Sequence, residues 1–262
     1  MMILEAERLS IFFGGVRAVD GVNLAISSGQ VFSIIGPNGS GKTTLFNLMS
    51  GVYSPSDGSI RLKGEIVTGL APEQFARRGL SRTFQNLQIF SRMSVLENVM
   101  VGRQRHEHTG ILADLLHLPS VGRQNAATCD AALAALDRVG LVDASASPAG
   151  SLAYGALKRL EIARALASEP TVLLLDEPAA GCNPVETQAL DRVIRSIVKD
   201  GVTVVLVEHD MRLVMNISDR VHVLASGKTL SEGTPQQVRA DAAVVEAYLG
   251  VHGSQEADRA LH

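Results

Sequence analysis

The sequence is poor in the features that mark secreted, disulfide-stabilised and nucleic-acid-binding proteins. Its 262 residues include only two cysteines, Cys129 and Cys182, which form no motif with each other, so we expect free thiols in a reducing compartment. The formal net charge is −3, which predicts neither a nucleic-acid partner nor attraction to an anionic membrane surface. The stretch 1–7 has no basic flank and no apolar run of signal-peptide length, and we therefore expect no secretory leader there.

Long apolar runs are also missing, which argues against a membrane-spanning helix. The runs 172–175 and 204–207 are apolar throughout, but they have the length of strands and each is followed by an acidic residue. The histidines and cysteines show no metal-ligand spacing. What the chain does have is the composition of a globular protein, 46% hydrophobic and 19% charged, with enough residues for one large domain.

Hydrophobic patterning predicts an α/β chain. Short apolar segments typical of strands lie at 22–26, 31–35, 60–62, 171–175, 202–207 and 221–224. Helical patterns lie at 42–49 and 184–199, and the middle of the chain, from about 95 to 167, is rich in alanine and leucine at helical spacing. Nearly all-apolar strands joined by helices predict a parallel sheet covered on both faces. We therefore expect an α/β core at 1–86 and 168–250, a mostly helical insertion at about 87–167, and a frayed tail at 251–262.

A glycine-rich loop lies between the strand predicted at 31–35 and the helix predicted at 42–49. It matches the pattern Gly-x4-Gly-Lys-Thr with Gly36, Gly41, Lys42 and Thr43. In such a loop, backbone N–H groups and the positive end of the helix hold phosphate oxygens. The lysine reaches the β- and γ-phosphates, and the threonine hydroxyl binds Mg²⁺. The sequence therefore predicts an ATP site with contacts from Gly36, Pro37, Asn38, Gly39, Ser40, Gly41, Lys42, Thr43 and Thr44.

Acidic residues and a histidine follow two other predicted strands. Asp176 and Glu177 come directly after the strand at 171–175, and His209 follows the strand at 202–207. Because the carboxyl ends of parallel strands meet at one edge of a sheet, we expect these side chains beside the phosphate loop. Asp176 is then the carboxylate that orders Mg²⁺, and Glu177 is the general base that polarises the attacking water. His209 is a candidate for contact with the γ-phosphate or with that water.

Several motifs, in this order, resemble the ATP-binding subunits of ABC transporters over essentially the whole chain. They are the phosphate loop, Ser81-Arg82-Thr83-Phe84-Gln85, Leu152-Ala153-Tyr154-Gly155-Ala156 with the stretch 159–166, Asp176-Glu177 and His209. Further stretches are most similar to the larger ATPase of branched-chain amino acid importers: 82–86, 95–99, 102–126, 176–184, 208–211, 232–235 and 247–250. The resemblance implies one ABC ATPase domain over 1–262. It would have a P-loop NTPase core with a parallel central sheet, N-terminal antiparallel β strands and a mostly helical subdomain.

The resemblance also implies roles for further residues. Phe13 would stack on the adenine ring, although its neighbour Phe12 leaves a packing role open for either ring. Gln85 would act in catalysis with Glu177 and His209, sense Mg²⁺ and the γ-phosphate, and couple the core to the helical subdomain. Asn183 stands in the place of an aspartate that contacts the other ATPase of a pair. Metal contacts are thus expected from Thr43, Gln85 and Asp176.

The signature segment, which we define as residues 152–156, departs from the Leu-Ser-Gly-Gly-Gln common in the family. Ala153 replaces the serine, Tyr154 the first glycine and Ala156 the glutamine, whereas Leu152 and Gly155 are retained. In the family this segment caps the γ-phosphate bound by the opposite subunit, so the lost contacts would affect the partner's ATP. Gly155 and the helix after it still offer backbone donors to phosphate.

The resemblance implies the ATP-hydrolysing motor of an ABC importer, with ATP and Mg²⁺ as cofactors. The expected partners are a second, similar but non-identical ABC ATPase (a homodimer is the alternative), two integral membrane permease subunits and, indirectly, a substrate-binding protein. The chain would lie peripherally at the cytoplasmic face of the inner membrane. Branched-chain amino acids are the expected cargo, with other amino acids, amides and urea open. Two other hypotheses stay open: a soluble ABC protein of assembly or repair, and a regulatory module that hydrolyses ATP poorly because of Ala153 and Ala156.

Overall fold

The computed structural model of the protein describes residues 1–104 and 119–249, and its strands form two sheets. The strands are β1 (Met2–Phe13), β2 (Val16–Ser27), β3 (Val31–Ile35), β4 (Asp57–Leu62), β5 (Glu65–Ile66), β6 (Leu80–Arg82), β7 (Val172–Asp176), β8 (Thr203–Val207), β9 (Arg220–Ala225) and β10 (Lys228–Gly233). The first sheet has the order β2-β1-β4-β5 and is antiparallel. The second has the order β10-β9-β3-β8-β7-β6 and is parallel from β9 to β6, with β10 antiparallel at its edge.

Helices cover the second sheet and fill the middle of the chain. They are α1 (Lys42–Met49), α2 (Pro72–Arg77), α3 (Val95–Val101), α4 (Pro119–Arg138), α5 (Tyr154–Leu166), α6 (Pro184–Lys199), α7 (Met211–Ile217), α8 (Pro235–Ala240) and α9 (Ala242–Leu249). Helices α3, α4 and α5 come between β6 and β7 in the chain and pack on one another. Among the described residues, none of these helices combines the length and the hydropathy that crossing a membrane requires.

The central strands are buried on both faces. Every residue of β3, β7 and β8 is buried, as expected for parallel strands with cover on each side. On one face, Leu173 and Leu206 pack with Ile194 of α6. On the other, Leu174 and Phe32 pack with side chains of α1 and of the first sheet. The antiparallel sheet therefore covers one face of the parallel sheet.

The strand order puts several chain segments at one edge of the parallel sheet. Neighbouring strands β9, β3, β8, β7 and β6 all run in the same direction. The glycine-rich loop follows β3, Glu177 follows β7, His209 follows β8 and Gln85 follows β6. Ligands of open α/β sheets bind at this carboxyl edge, so the fold brings the candidate residues together.

The expected α/β class, with a parallel sheet and N-terminal antiparallel strands, is confirmed. The strand at 31–35 and the helices at 42–49 and 184–199 match β3, α1 and α6, and β7, β8 and β9 agree within one residue at each end. Patterning gives no bounds for β1, whose pairing with β2 shifts register at several points and so breaks the regular alternation. The tail at 251–262 and residues 105–118 of the segment 102–126 lie outside the described residues. The domain boundaries stay predictions.

Candidate active site

The phosphate loop, residues 36–44, owes its shape to glycines. Gly36 has a φ of 154° and Gly41 a φ of 102°, both in the half of conformational space that favours glycine. A Cβ on Gly36 would lie 2.1 Å from the carbonyl oxygen of Leu224, and one on Gly41 would lie 2.3 Å from that of Ala18. The two positions therefore need glycine for space as well as for backbone conformation.

Lys42 folds back over the start of this loop. Its Nζ donates to the backbone oxygens of Gly36 at 2.7 Å and Pro37 at 3.0 Å, and the residue is only 9% exposed. Burial lowers the pKa of Lys42, while the charge of nearby Glu177 opposes that shift. An ammonium group held at the loop in this way can form charge-assisted hydrogen bonds with an anion such as phosphate.

A cleft of about 590 Å³ opens beside the loop. Its walls come from the loop, the start of β2, the segment after β6, the end of β7 and the turn between β9 and β10. The lining residues are Val16, Arg17, Ala18, Asn38, Gly39, Ser40, Gly41, Lys42, Thr43, Thr44, Gln85, Glu177, Ser226 and Gly227. The structure thus brings Gln85 and Glu177 to the phosphate loop.

Glu177 is fixed at the end of β7 by its backbone. Its N–H donates to the carbonyl oxygen of Val207 at 2.9 Å, and its φ of 48° is positive, a conformation that costs free energy in a non-glycine residue and concentrates at functional sites. The carboxylate Oε2 accepts a hydrogen bond from Gln85 Nε2 at 3.1 Å and lies 3.9 Å from His209 Nδ1. The three candidate catalytic side chains therefore meet at one carboxylate.

Asp176 is buried, and its partner is Arg82, for which the sequence motifs predict no role. Arg82 Nη2 donates to Asp176 Oδ2 at 2.7 Å, and its Nη1 donates to Asn47 Oδ1 at 2.7 Å and Ser50 Oγ at 2.8 Å. Because Asn47 lies in α1, Arg82 joins the helix of the phosphate loop to the end of β7. The two charged side chains are 9% and 4% exposed, so removing either would leave the other buried and unpaired. The sequence marked Arg82 only as part of a resemblance.

The residues expected to bind Mg²⁺ carry the oxygen donors that this ion prefers. Thr43 and Gln85 line the cleft, whereas Asp176 has one carboxylate oxygen engaged by Arg82. Within 1–104 and 119–249, no cluster of three or more histidine, cysteine, aspartate and glutamate side chains is arranged to hold a metal. The oxygen donors of Thr43 and Gln85 at the cleft suit an ion that takes its other ligands from phosphate and water, as Mg²⁺ does.

A buried carboxylate for which the sequence predicts no role, that of Glu208, lies between the segments that carry Glu177 and His209. Glu208 is 1% exposed; its Oε1 accepts from the N–H of Ala179 at 2.8 Å, and its Oε2 accepts from the N–H groups of His209 at 2.9 Å and Asp210 at 3.2 Å. Burial raises the pKa of Glu208, and these N–H donors oppose the shift. One carboxylate thus fixes the turn after Glu177 against the segment of His209. In the sequence, the one indication of a role for Glu208 is its position directly after the apolar run 204–207.

The signature segment lies at the start of α5, away from this cleft. None of its residues lines the cleft in the described part of the chain. Ala153 is the N-cap of α5 and makes no capping hydrogen bond, because its side chain has no acceptor. The N–H of Gly155 donates to Glu186 Oε1 at 3.0 Å. Leu152 and Ala156 are half-buried and pack against the core beside the helices, while Tyr154 is 43% exposed.

Asn183 and Phe13 lie at the surface. Asn183 is the N-cap of α6. Its Oδ1 accepts hydrogen bonds from the backbone N–H groups of Val185 and Glu186, each at 3.0 Å. Phe13 is 47% exposed, and its ring meets that of Tyr53 edge-on with centroids 5.4 Å apart. The guanidinium of Arg17 lies 5.1 Å from the centroid of the neighbouring Phe12 ring. Both phenylalanine rings are exposed, so the adenine contact stays a prediction for Phe13.

A second depression, of about 810 Å³, lies next to the Gln85 segment. We call it the apolar groove and define it by its lining residues Ser50, Val52, Pro72, Ala76, Leu80, Ser81, Arg82, Phe84, Leu87, Gln88, Ile89, Phe90, Val101, Gly102, Glu161, Arg164, Ala165 and Ser168. Phe84 and Phe90 are 49% and 50% exposed there. Arg82 lines the groove and pairs with Asp176, the residue before Glu177, although neither Arg82 nor Asp176 lines the cleft. The Arg82–Asp176 pair therefore links the groove to the end of β7, from which Glu177 enters the cleft.

Sequence models of two families match the chain. The one described as ABC transporter matches residues 19–180, a range that includes the phosphate loop, the signature segment and Glu177. The one described as Branched-chain amino acid ATP-binding cassette transporter matches residues 228–254.

Similar proteins match over nearly their whole length. The high-affinity branched-chain amino acid transport ATP-binding protein BraF of Pseudomonas aeruginosa is 47% identical over 249 residues, which cover 95% of this chain and 98% of BraF. The protein of the same description named LivG, from Escherichia coli K12, is 44% identical with the same coverage. A crystal structure of the ADP conformation of MJ1267, an ATP-binding cassette of an ABC transporter, has a TM-score of 0.83 at 31% identity, covering 95% of this chain and 99% of that one.

Proposed function

The chain belongs to the ABC transporter family of ATP-binding proteins, and from that premise we propose that it is the ATPase subunit of an importer for branched-chain amino acids. The observation that carries the ATPase part is the cleft in which Lys42, Gln85 and Glu177 face one space beside the phosphate loop. The cargo rests on BraF and LivG, whose names state branched-chain amino acid transport.

The phosphate loop would bind the β- and γ-phosphates of ATP through its backbone N–H groups and through Lys42. Because Lys42 Nζ already lies within hydrogen-bonding distance of Gly36 and Pro37, it would exchange those carbonyl oxygens for phosphate oxygens. Mg²⁺, held by Thr43, Gln85 and Asp176 together with phosphate and water, would neutralise negative charge on the phosphates.

Glu177 would orient and polarise the attacking water as a general base. Its carboxylate is within reach of both Gln85 and His209, so the amide can hold the carboxylate in one orientation while the imidazole contacts the γ-phosphate or the water. Catalysis of phosphoryl transfer depends mainly on positioning the reacting groups and stabilising charge. The backbone hydrogen bond of Glu177 to Val207 and the Glu208 carboxylate supply that rigidity.

A complete site would need two ATPase subunits. The signature segment lies away from the cleft of its own chain, and in the proposed arrangement it meets ATP held by the partner, with Asn183 at the contact between the two. Ala153 and Ala156 lack two side-chain groups found in the common signature, so the two sites of the pair would not be equal if the partner is a different ATPase. A homodimer is the alternative arrangement.

The apolar groove would receive the membrane subunits. It presents exposed aromatic rings beside the Gln85 segment, and amphipathic helices bind such grooves through apolar anchors. The movement that closes the two ATPases would then be transmitted to the permease through Phe84 and Arg82. In this arrangement the chain sits peripherally at the cytoplasmic face of the membrane, and a substrate-binding protein acts on the far side.

The first test is ATP binding and hydrolysis by the chain assembled with its membrane subunits. We expect Lys42→Ala to weaken ATP binding roughly tenfold or more, since a hydrogen bond to a charged group is worth about 1.5–3 kcal/mol. Lys199→Ala, at an exposed position in the last turn of α6, is the matched control. An unchanged dissociation constant in Lys42→Ala would contradict the assignment of the phosphate loop.

A second test addresses the cargo. In vesicles, hydrolysis should rise when the binding protein carries leucine, isoleucine or valine. Stimulation by another amino acid or by urea, with none by these three, would reject the proposed cargo and leave the ATPase assignment intact.

A further inference from the structure

The carboxylate of Glu186 connects the signature segment to the turn that follows Glu177. Its Oε1 accepts from the N–H of Gly155 at 3.0 Å, and its Oε2 accepts from the N–H of Asn183 at 2.9 Å. The first bond reaches α5, and the second closes the capping box of α6. One side chain therefore holds the start of α5, 31 residues before it in the chain, and the start of its own helix.

The approach between Glu186 and the signature segment is close. Gly155 is buried, and a Cβ at this position would lie 2.5 Å from Cγ of Glu186. Only glycine thus lets the carboxylate reach the backbone N–H. Glu186 itself is half-buried, so its side chain has access to solvent and can move without unfolding the helix.

Two further contacts join α5 to the same turn. The Tyr154 ring lies against Gly181, where a Cβ would be 3.0 Å from the ring, and Lys158 Nζ donates to the carbonyl oxygen of Glu177 at 3.4 Å. The Lys158 ammonium also lies 5.8 Å from the centroid of the Tyr154 ring. The signature segment and the backbone beside Glu177 are therefore in direct contact.

We infer that Glu186 is a positioning residue that occupies the Gly155 amide as a substitute for phosphate and releases it when ATP on the partner subunit arrives. The inference rests on the proposed function, because it needs the signature segment to bind that ATP. A single N–H cannot serve a carboxylate and a phosphate oxygen at once, and the two anions repel each other. The phosphate must therefore displace the Oε1 arm of Glu186, while the Oε2 arm stays on Asn183. Arrival of the partner's ATP is in this way passed to the turn after Glu177.

The test is Glu186→Gln in the complex assembled with its partner ATPase and membrane subunits. Glutamine keeps the size of the side chain and can still serve in a capping box, but it carries no charge. We expect the apparent KM for ATP to fall roughly fivefold, the effect of removing one like charge about 4 Å away in water. The value of kcat should change less. Without nucleotide, hydrogen exchange of the peptide covering 152–158 should become faster, since the Gly155 N–H loses its anionic acceptor.

Glu97→Gln is the matched control, because Glu97 closes the same kind of capping box, on Ser94 at the start of α3, and is exposed. It should affect the capping of its own helix as Glu186→Gln does, and leave both the KM and the exchange at 152–158 unchanged. An unchanged or higher KM for ATP in Glu186→Gln, with hydrogen exchange at 152–158 like that of the wild type, would overturn the inference. Glu186 would then act only as part of the capping box of α6. If Lys42→Ala leaves hydrolysis by the complex unchanged, the proposed function itself fails, and that outcome is read independently of Glu186.

Discussion

At the scale of single residues, Glu177 combines a costly backbone conformation with polar contacts to its carboxylate. Its φ is 48°, and its carboxylate lies between Gln85 and His209. A non-glycine residue keeps a positive φ only where its surroundings determine it strongly. Here the bond from its N–H to Val207 does so, and the direction of the carboxylate follows from the bend of the chain.

Glu177→Gln should therefore keep ATP binding and lose hydrolysis. The amide preserves the shape of the side chain but cannot accept a proton from water, and general-base catalysis contributes about 10²–10⁴-fold. We expect a loss of that size in single-turnover hydrolysis, an unchanged dissociation constant for ATP, and a longer-lived closed pair of subunits. The exposed Glu246→Gln serves as control. Normal turnover in Glu177→Gln would reject the residue as the base.

For Glu208 we expect a loss of stability as well as of activity, because its carboxylate binds backbone N–H groups rather than substrate. A glutamine in its place has one acceptor oxygen and an NH₂ group, so at least one of the N–H groups of Ala179, His209 and Asp210 would lose its acceptor. A buried donor without a partner costs about 1–3 kcal/mol. We expect Glu208→Gln to lower the free energy of unfolding by that amount and to reduce kcat more than ATP affinity. Thermal denaturation and steady-state kinetics measure both; a changed affinity with normal kcat would contradict this role.

At the scale of elements, periodicity and spacing were sufficient for the central strands, α1, α6 and the phosphate loop. Those elements are specified locally, by apolar runs and by glycines that close a turn between strand and helix. The roles of Arg82, Glu186 and Glu208 could not be predicted from the sequence, because each acts through a contact with a segment distant in the chain. An isolated charged residue in a sequence does not reveal its partner, and the partner decides whether the charge is buried.

The β9–β10 hairpin carries a partly buried carboxylate, Glu232, that makes stability depend on pH. Glu232 Oε1 accepts from Arg220 Nη2 at 2.7 Å, and its Oε2 lies 3.0 Å from Nδ1 of the fully buried His222. The hydrogen bond with His222, followed by the one with Arg220, lowers the pKa of Glu232 below its ordinary 4.5, although burial opposes the shift. A carboxylate whose pKa is lower in the folded state stabilises the fold above pH 4.5, and this stabilisation is lost as the pH falls through the folded value.

Glu232→Gln should therefore flatten the acid side of the stability profile. Between neutral pH and 4.5 the variant should be less stable than the wild type, and the difference should shrink as the pH falls below 4.5. Urea unfolding at a series of pH values measures it, with the exposed Glu246→Gln for comparison. A constant difference between Glu232→Gln and the wild type across this range would show that the contact is not ionic.

At the scale of the whole molecule, the nucleotide cleft and the apolar groove are neighbours, because Phe84 lines the groove and the next residue, Gln85, lines the cleft. Arg82 pairs with Asp176 and lies 5.6 Å from the centroid of the Phe84 ring in the groove. The N–H of Phe84 in turn points at the buried carboxylate of Glu161, 3.4 Å away. A partner bound in the groove would therefore act on Gln85, the next residue in the chain, over a short path of packed and hydrogen-bonded groups.

Phe90 should be an anchor for that partner. Its N–H donates to Asn98 Oδ1 at 2.9 Å and its carbonyl oxygen accepts from Asn98 Nδ2 at 3.0 Å, so the backbone is fixed while the ring stays half exposed. A large ring held in place beforehand loses little entropy on binding and is typical of interface hot spots. We expect Phe90→Ala to weaken association with the membrane subunits by about 2 kcal/mol or more, measured by co-purification and binding in detergent. The dissociation constant for ATP of the isolated chain should not change.

Ile66→Ala provides the comparison for Phe90, because it removes a similarly exposed apolar side chain from β5, outside the groove. If both variants weaken association equally, the effect is a general loss of apolar surface and the groove is not the contact. If only Phe90→Ala does so, and transport falls with association while ATP binding persists, then force passes from the nucleotide cleft to the membrane subunits through the segment between Arg82 and Phe90.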